Sequence, residues 1–231
     1  MKLLLVFAPW LVLAFAEAPP AERYQIIFLR PDPARKPVSK EDGERIQSAH
    51  MANIHALADR GVLVAAGPFD DKPHTISGVF FFKTASSDEA LREAVKDPTV
   101  VEHRNTVDVL AWRGPKGLGE EYKRLHKEDP QTPEAMGVHP FYLLSRTASW
   151  KAGGHVWKDH EAYLSELMKT GKLAAMGPVS ESANVAEVLI FDRIPDEEAA
   201  ALAAADPAVK AGLLQVEAHR WWSSAHVLPR P

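Results

Sequence analysis

The alternation of apolar and polar positions divides the chain into a short series of elements. Residues 24–30 form a β-branched and aromatic run stopped by Pro31 and Pro33, the pattern of a strand. Ile46, His50, Ile54 and Leu57 then recur at steps of four, four and three, tracing one face of a helix. Gly61 stands where a helix C-terminus takes positive φ. Residues 62–66 read as a short apolar strand ending at Gly67-Pro68, and residues 76–83 as a third, strongly apolar strand. Ser86 and Glu89 have capping-box spacing and open a helix that runs to Lys96, before Asp97-Pro98. Residues 106–112 form the last strand of this series.

The series then repeats. The stretch from His50 to Gly67-Pro68 aligns with the stretch from His160 to Gly177-Pro178 at a constant offset of 110, with Gly61 on Gly171 and Leu63 on Leu173. Beyond Gly-Pro the offset becomes 109. Val79-Phe80-Phe81-Phe82 then meets Val188-Leu189-Ile190-Phe191, Asp97-Pro98 meets Asp206-Pro207, and Trp112 meets Trp221. In the second copy, strands are expected at 141–146, 172–176, 185–191 and 214–222. Trp157, His160, Leu164 and Leu167 mark one helix, and residues 196–205 a second. Each copy has the order β-α-β-β-α-β, the split βαβ arrangement of ferredoxin-like folds.

A four-stranded sheet with two helices on one face leaves its other apolar face uncovered, and two such sheets solve the problem by packing together. The expected fold is therefore α+β: two ferredoxin-like βαββαβ modules packed sheet to sheet, an intrachain pseudo-dimeric α/β barrel. The expected boundaries are 22–114 for the first module and 139–228 for the second. The charged, Gly- and Pro-containing residues 115–138 form a linker that carries a short helix at about 120–126.

The N-terminus adds a different signal. Met1-Lys2 precedes an apolar run at 3–15, and Ala14-Phe15-Ala16 has the A-x-A pattern of signal-peptide cleavage. The run is shorter than the roughly 20 residues needed to span a bilayer. Residues 1–16 are therefore expected to be a signal peptide cleaved after Ala16, with Ala18 as the alternative. The mature protein is then secreted or periplasmic, with no membrane attachment. The chain of 231 residues has no cysteine, which excludes disulfides, thiol nucleophiles and thiolate metal sites, and suits a bacterial periplasm. Its net charge of −4, without any polybasic run, argues against nucleic acid as a partner.

The succession of a helix bearing His50, then Gly61, Leu63, Ala66-Gly67-Pro68 and Asp97-Pro98 resembles the YciI-like (YCII-related) domain. The second copy supplies His160, Gly171, Leu173, Gly177-Pro178 and Asp206-Pro207. The resemblance implies the dimeric α/β-barrel superfamily, which includes muconolactone isomerases, small monooxygenases and haem-binding proteins. It implies no settled reaction, although a His and an Asp have been proposed as the active site of the domain.

His50 and His160 lead the candidate chemistry. A histidine titrates near neutrality and serves as a general acid or base, and these two occupy the same point of the repeat. The competing reading is a pair of core histidines preserved for packing. Asp70 and Asp71, which follow Gly67-Pro68, are candidate orienting carboxylates, with His74 close behind; the same residues also make ordinary turn chemistry. In the second copy Ser180-Glu181 replaces Asp70-Asp71, so the first module is the expected active one. Arg30 and Arg146 end the first strand of each copy and are candidates for binding an anionic substrate group. His50 and His55 lie about 140° apart around a helix, and no compact His/Asp cluster appears, so no metal site is expected. These parts suit cofactor-free acid–base chemistry on a small organic molecule, of isomerase or hydrolase type. The alternatives are a small-ligand or haem-binding protein of the cell envelope, and a structural pseudo-dimer.

Overall fold

The computed structural model describes residues 21–72, 74–129, 135–151 and 153–229; residues 1–16, expected to be a signal peptide, lie outside the described residues. The first half runs β1 (Ala21–Pro31), α1 (Lys40–Asp59), β2 (Leu63–Pro68), β3 (Gly78–Phe82), α2 (Ser87–Ala94), α3 (Pro98–Val101) and β4 (Asn105–Pro115). After α4 (Glu120–Glu128) the second half runs β5 (Met136–Arg146), α5 (His155–Lys169), β6 (Leu173–Ser180), β7 (Val185–Phe191), α6 (Asp196–Ala205), α7 (Pro207–Lys210) and β8 (Leu214–Ser224).

The strands lie in the order β2-β3-β1-β4-β6-β7-β5-β8, and every pairing is antiparallel. Each half therefore repeats one local order. The halves join where Ala111 and Trp112 of β4 pair with Ser180 and Val179 of β6. The two outer strands also meet. Phe69 bridges Trp221, the Asp70 N–H donates to the Arg220 carbonyl at 2.9 Å, and Ser223 Oγ donates to the Ala66 carbonyl at 2.8 Å. The sheet thus closes on itself around a shared interior.

Side-chain alternation explains the layers. On β1, Tyr24, Ile26 and Phe28 point into that interior, where they join Phe81, Trp112, Phe141, Leu143, Ile190 and Trp221 from both halves. The intervening Ile27 and Leu29 point outward and pack with Leu57 of α1 and with Ala90 and Ala94 of α2. Tyr142 and Leu144 of β5 do the same against Leu164 and Leu167 of α5. This is the period of two expected of a strand buried on both faces. Trp112 and Trp221 are fully buried packing residues, whereas Trp222 is exposed.

Helix ends follow their local chemistry. Ser39 caps α1 by accepting from the Asp42 N–H, Ser86 caps α2 by accepting from Glu89, and Gly61 and Gly171 take positive φ just past α1 and α5. Three departures from expectation matter. First, β2 ends at Gly67-Pro68 as expected but takes both residues into the strand, and β6 runs on past Gly177-Pro178 to Ser180. The missing Cβ lets the strand pass close to the other half: a Cβ on Gly67 would collide with the Trp222 carbonyl, and one on Gly177 with the Arg113 carbonyl. Second, β4 and β5 reach to Pro115 and Met136, shortening the connection at 115–138. Third, the Asp-Pro dipeptides open the short helices α3 and α7, with Asp97 and Asp206 as N-caps and Pro at the first helical position.

Candidate functional site

The Asp-Pro corners position the histidines. Asp97 is fully buried, and its Oδ1 accepts hydrogen bonds from the Thr99 N–H at 2.9 Å and Thr99 Oγ1 at 2.6 Å. Its Oδ2 accepts from Asn53 Nδ2 at 3.0 Å and from His50 Nδ1 at 2.8 Å. The carboxylate is fixed by α3 on one side and α1 on the other, and it fixes the imidazole in turn. Because a carboxylate only accepts, the proton sits on Nδ1 of His50, and Nε2 is left to act. Phe80 stacks on the ring at 5.8 Å, and the side chain keeps 13% exposure, with no partner at Nε2 among the described residues. Burial works against the charge on Asp97, but the hydrogen bonds from His50 and Thr99 outweigh it and hold its carboxyl below the usual range.

The second copy has the same dyad with one addition. His160 Nδ1 donates to Asp206 Oδ2 at 2.7 Å, and Nε2 donates to Glu187 Oε2 at 2.8 Å. The ring is 1% exposed and lies 4.5 Å from the Trp157 ring. Burial disfavours its charge, yet the hydrogen bonds to Asp206 and Glu187 prevail and raise its pKa to about 9. Both nitrogens donate, so this is a sealed imidazolium. The difference between the copies traces to one residue. Glu187 pairs with Pro178 where Gly78 pairs with Pro68, so the first half has no side chain at that place to cap its histidine.

The carboxylate expected to serve His50 is therefore corrected. Asp70 and Asp71 do not approach it, because the end of β2 is drawn toward β8 of the other half and away from the outer helix layer. Asp71 accepts from His219 Nδ1 and, at 2.6 Å, from the Arg220 N–H; Asp70 meets Arg220 Nη1 at 3.3 Å. His74 is exposed on the following loop. The arginines are strand-end anchors. Arg30 binds Asp108 at 2.5 Å and the Thr75 carbonyl at 3.3 Å, while Arg146 binds the Val185 carbonyl at 2.7 Å and covers Trp150. Neither stands beside a histidine of the dyads. Glu181 likewise turns to Arg23 and Ser87.

Sequence reasoning missed Asp97, Asp206, Glu187 and His219 as functional candidates. The first two recur in both copies, 47 and 46 residues after their histidines, and that recurrence was the available signal. Glu187 is a charge inside an apolar run. His219 aligns with Leu110 and leaves no trace in the repeat.

No group of three or more His, Asp or Glu side chains among the described residues is arranged to hold a metal ion, and no helix among them is long and apolar enough to cross a membrane.

No protein-family profile matches the chain, and no curated protein does. Among solved structures it is similar to a novel haem-binding protein from Thermus thermophilus. That match has a TM-score of 0.51 and 14% identity, over 90% of this chain and 94% of that one. It is also similar to a candidate monooxygenase from Lactobacillus acidophilus, with a TM-score of 0.44 and 12% identity, over 90% of this chain and 99% of that one. The first likeness is one of fold alone.

Proposed function

We propose that the chain is an exported protein of two tandem, ferredoxin-like YciI-type modules forming an intrachain pseudo-dimer. In this reading the first module acts on a small organic molecule by cofactor-free acid–base chemistry, with His50 as the proton-transferring group and Asp97 as its positioning residue. One observation carries the reading: His50 and His160, at equivalent positions, each hold the Asp of an Asp-Pro corner, yet of the two only His50 keeps its second nitrogen free. A histidine retained for packing alone is expected to have both nitrogens satisfied, as His160 has. His50 takes a proton at Nε2, from a substrate carbon in an isomerisation or from the attacking water in a hydrolysis, while Asp97 holds Nδ1–H and stabilises the imidazolium that forms. The proton then returns to another atom of the substrate, or to the oxygen released as water adds to the carbonyl carbon and the lactone C–O bond breaks. Isomerisation and lactone-type hydrolysis both fit this sequence.

The test is turnover of a panel of lactones and of keto–enol isomerisable acids by four proteins. Wild type and His160→Gln are expected to turn over the same compound, His50→Gln to be inactive, and Asp97→Asn to lose about 10²–10⁴-fold in kcat. Turnover that survives in His50→Gln would overturn the assignment.

The haem-binding neighbour suggests a second use for a free Nε2, as an axial ligand. The first module fits this poorly, since the His50 side chain is only 13% exposed and Phe80 stacks on its ring. A haem titration decides: a Soret shift present in wild type and absent in His50→Ala would replace the acid–base reading.

A further inference from the structure

The closure of the sheet creates a second site that neither half holds alone. Between the turn after β2, strands β5 and β8 and the start of α6 lies a cleft of about 630 Å³. A smaller hollow of about 230 Å³ adjoins it, and Asp71, Lys72 and His219 border both. His219 is 5% exposed, with Phe69 against its ring at 5.0 Å. Its Nδ1 donates to Asp71, itself pinned by the Arg220 N–H. The Nδ1 proton leaves a lone pair on Nε2, and that buried atom has no hydrogen-bond partner. Glu217 Oε1 stands 3.1 Å from Nε2, out of line for a bond between them. A lone pair and a carboxylate oxygen side by side are two acceptors waiting for one donor.

The rest of the wall has the same character. Arg220 is shared between Asp70 at 3.3 Å and Asp196 at 2.8 Å, which neutralises it. Lys72 is exposed. The four carboxylates of Asp70, Asp71, Asp196 and Glu217 outnumber the two permanent cations, so the lining is acidic. Tyr142 contributes a hydroxyl that burial, with help from Asp196, keeps protonated up to about pH 12. Pro140, Ala200 and Ala218 supply short apolar surface between these groups.

We propose that this junction cleft binds a small organic cation, of the primary-amine or diamine class. One ammonium N–H donates to His219 Nε2 and another to Glu217, the alkyl chain runs over Pro140 and Ala218, and a distal amine meets Asp196. The site is independent of His50 and owes nothing to the chemistry proposed there.

The test is calorimetric titration of the purified protein with 1,4-diaminobutane at low salt, with sodium acetate, glycerol and calcium chloride as separate probes. Saturable binding of the diamine alone is expected. Glu217→Gln, a half-exposed and nearly isosteric change, should weaken it at least about tenfold, since a charged acceptor is lost. His219→Gln should weaken it comparably, and Asp196→Asn less. A matched thermal melt shows whether each variant has folded; because Glu217 and Asp196 are half exposed, their variants keep the test valid if His219→Gln does not fold. His50→Ala should bind as wild type does. Absence of diamine binding in the wild type, equal affinity in Glu217→Gln, or preferential binding of calcium or acetate would each overturn the proposal.

Discussion

Raising the pH from 6.5 to 9 should destabilise the protein through one residue, His160. The imidazole has an ordinary pKa of 6.5, which serves as its value in the unfolded chain, and is held up to about 9 in the fold. Its burial opposes the proton, but Asp206 and Glu187 secure it from both sides. Below pH 6.5 the ring is protonated in both states, and the full stabilisation is present. Between 6.5 and 9 the folded protein keeps a proton that the unfolded chain gives up, so stability falls with rising pH. Above about 9 both states are neutral and the contribution is gone. At 1.36 kcal/mol per pH unit, the interval corresponds to about 3 kcal/mol, of which about 2.5 kcal/mol is withdrawn between pH 6.5 and 9. For a chain of this size that is a fall in melting temperature of about 5–10 °C. Differential scanning calorimetry or urea denaturation across that range measures it directly. His160→Gln, which has no titrating ring, should be less stable at pH 6.5 and should lose most of the slope. A wild-type melting temperature that stays level between pH 6.5 and 9, or a variant with the same slope, would refute the sealed-imidazolium reading.

Glu187→Gln keeps a hydrogen-bond acceptor beside His160 but removes its charge. The ring's pKa should fall, which an NMR titration of its Cε1 proton would follow, and the window of alkaline destabilisation should narrow from its upper end. Gly177→Ala and Gly67→Ala place a Cβ on a backbone carbonyl of the opposite half and should each cost about 2–4 kcal/mol by denaturation. Gly171→Ala, with open space but φ of 72°, should cost only about 1 kcal/mol, the strain of the left-handed region alone.

Periodicity and internal comparison revealed the order of elements because both act along the chain. A strand buried on both faces, such as residues 24–30, or a helix with Ile46, His50, Ile54 and Leu57 on one side, declares itself locally. The carboxylate partner of His50 is a long-range fact of a different kind. Asp70 and Asp71 suit the role by sequence because they follow Gly67-Pro68 in a polar turn. The turn, however, belongs to the seam between halves, where the open edge of β2 is satisfied by β8 and its acids by His219 and Arg220. Asp97 reads as a residue at a helix boundary, and it is one. Its carboxylate has enough acceptor capacity to cap α3 through Thr99 and still hold His50. The recurrence that favours the histidines applies equally to Asp97 and Asp206, and not to Asp70 and Asp71. His219 has no such signal, since a junction formed once leaves nothing to repeat.

The two copies also show how one position sorts a shared dyad into two fates. In the second half Glu187 closes the ring nitrogen that would meet a substrate, and its buried carboxylate shares the His160 imidazolium with Asp206. Removing one partner of such a buried group costs about 3–5 kcal/mol, so once Glu187 is in place the arrangement resists change. In the first half Gly78 offers no cap, and its own surroundings resist gaining one. A Cβ there would stand 3.0 Å from the Gly67 carbonyl, in the segment that must pass close to Trp222. The open His50 thus goes with a glycine at position 78, where the pairing of β2 and β3 leaves little room for a side chain.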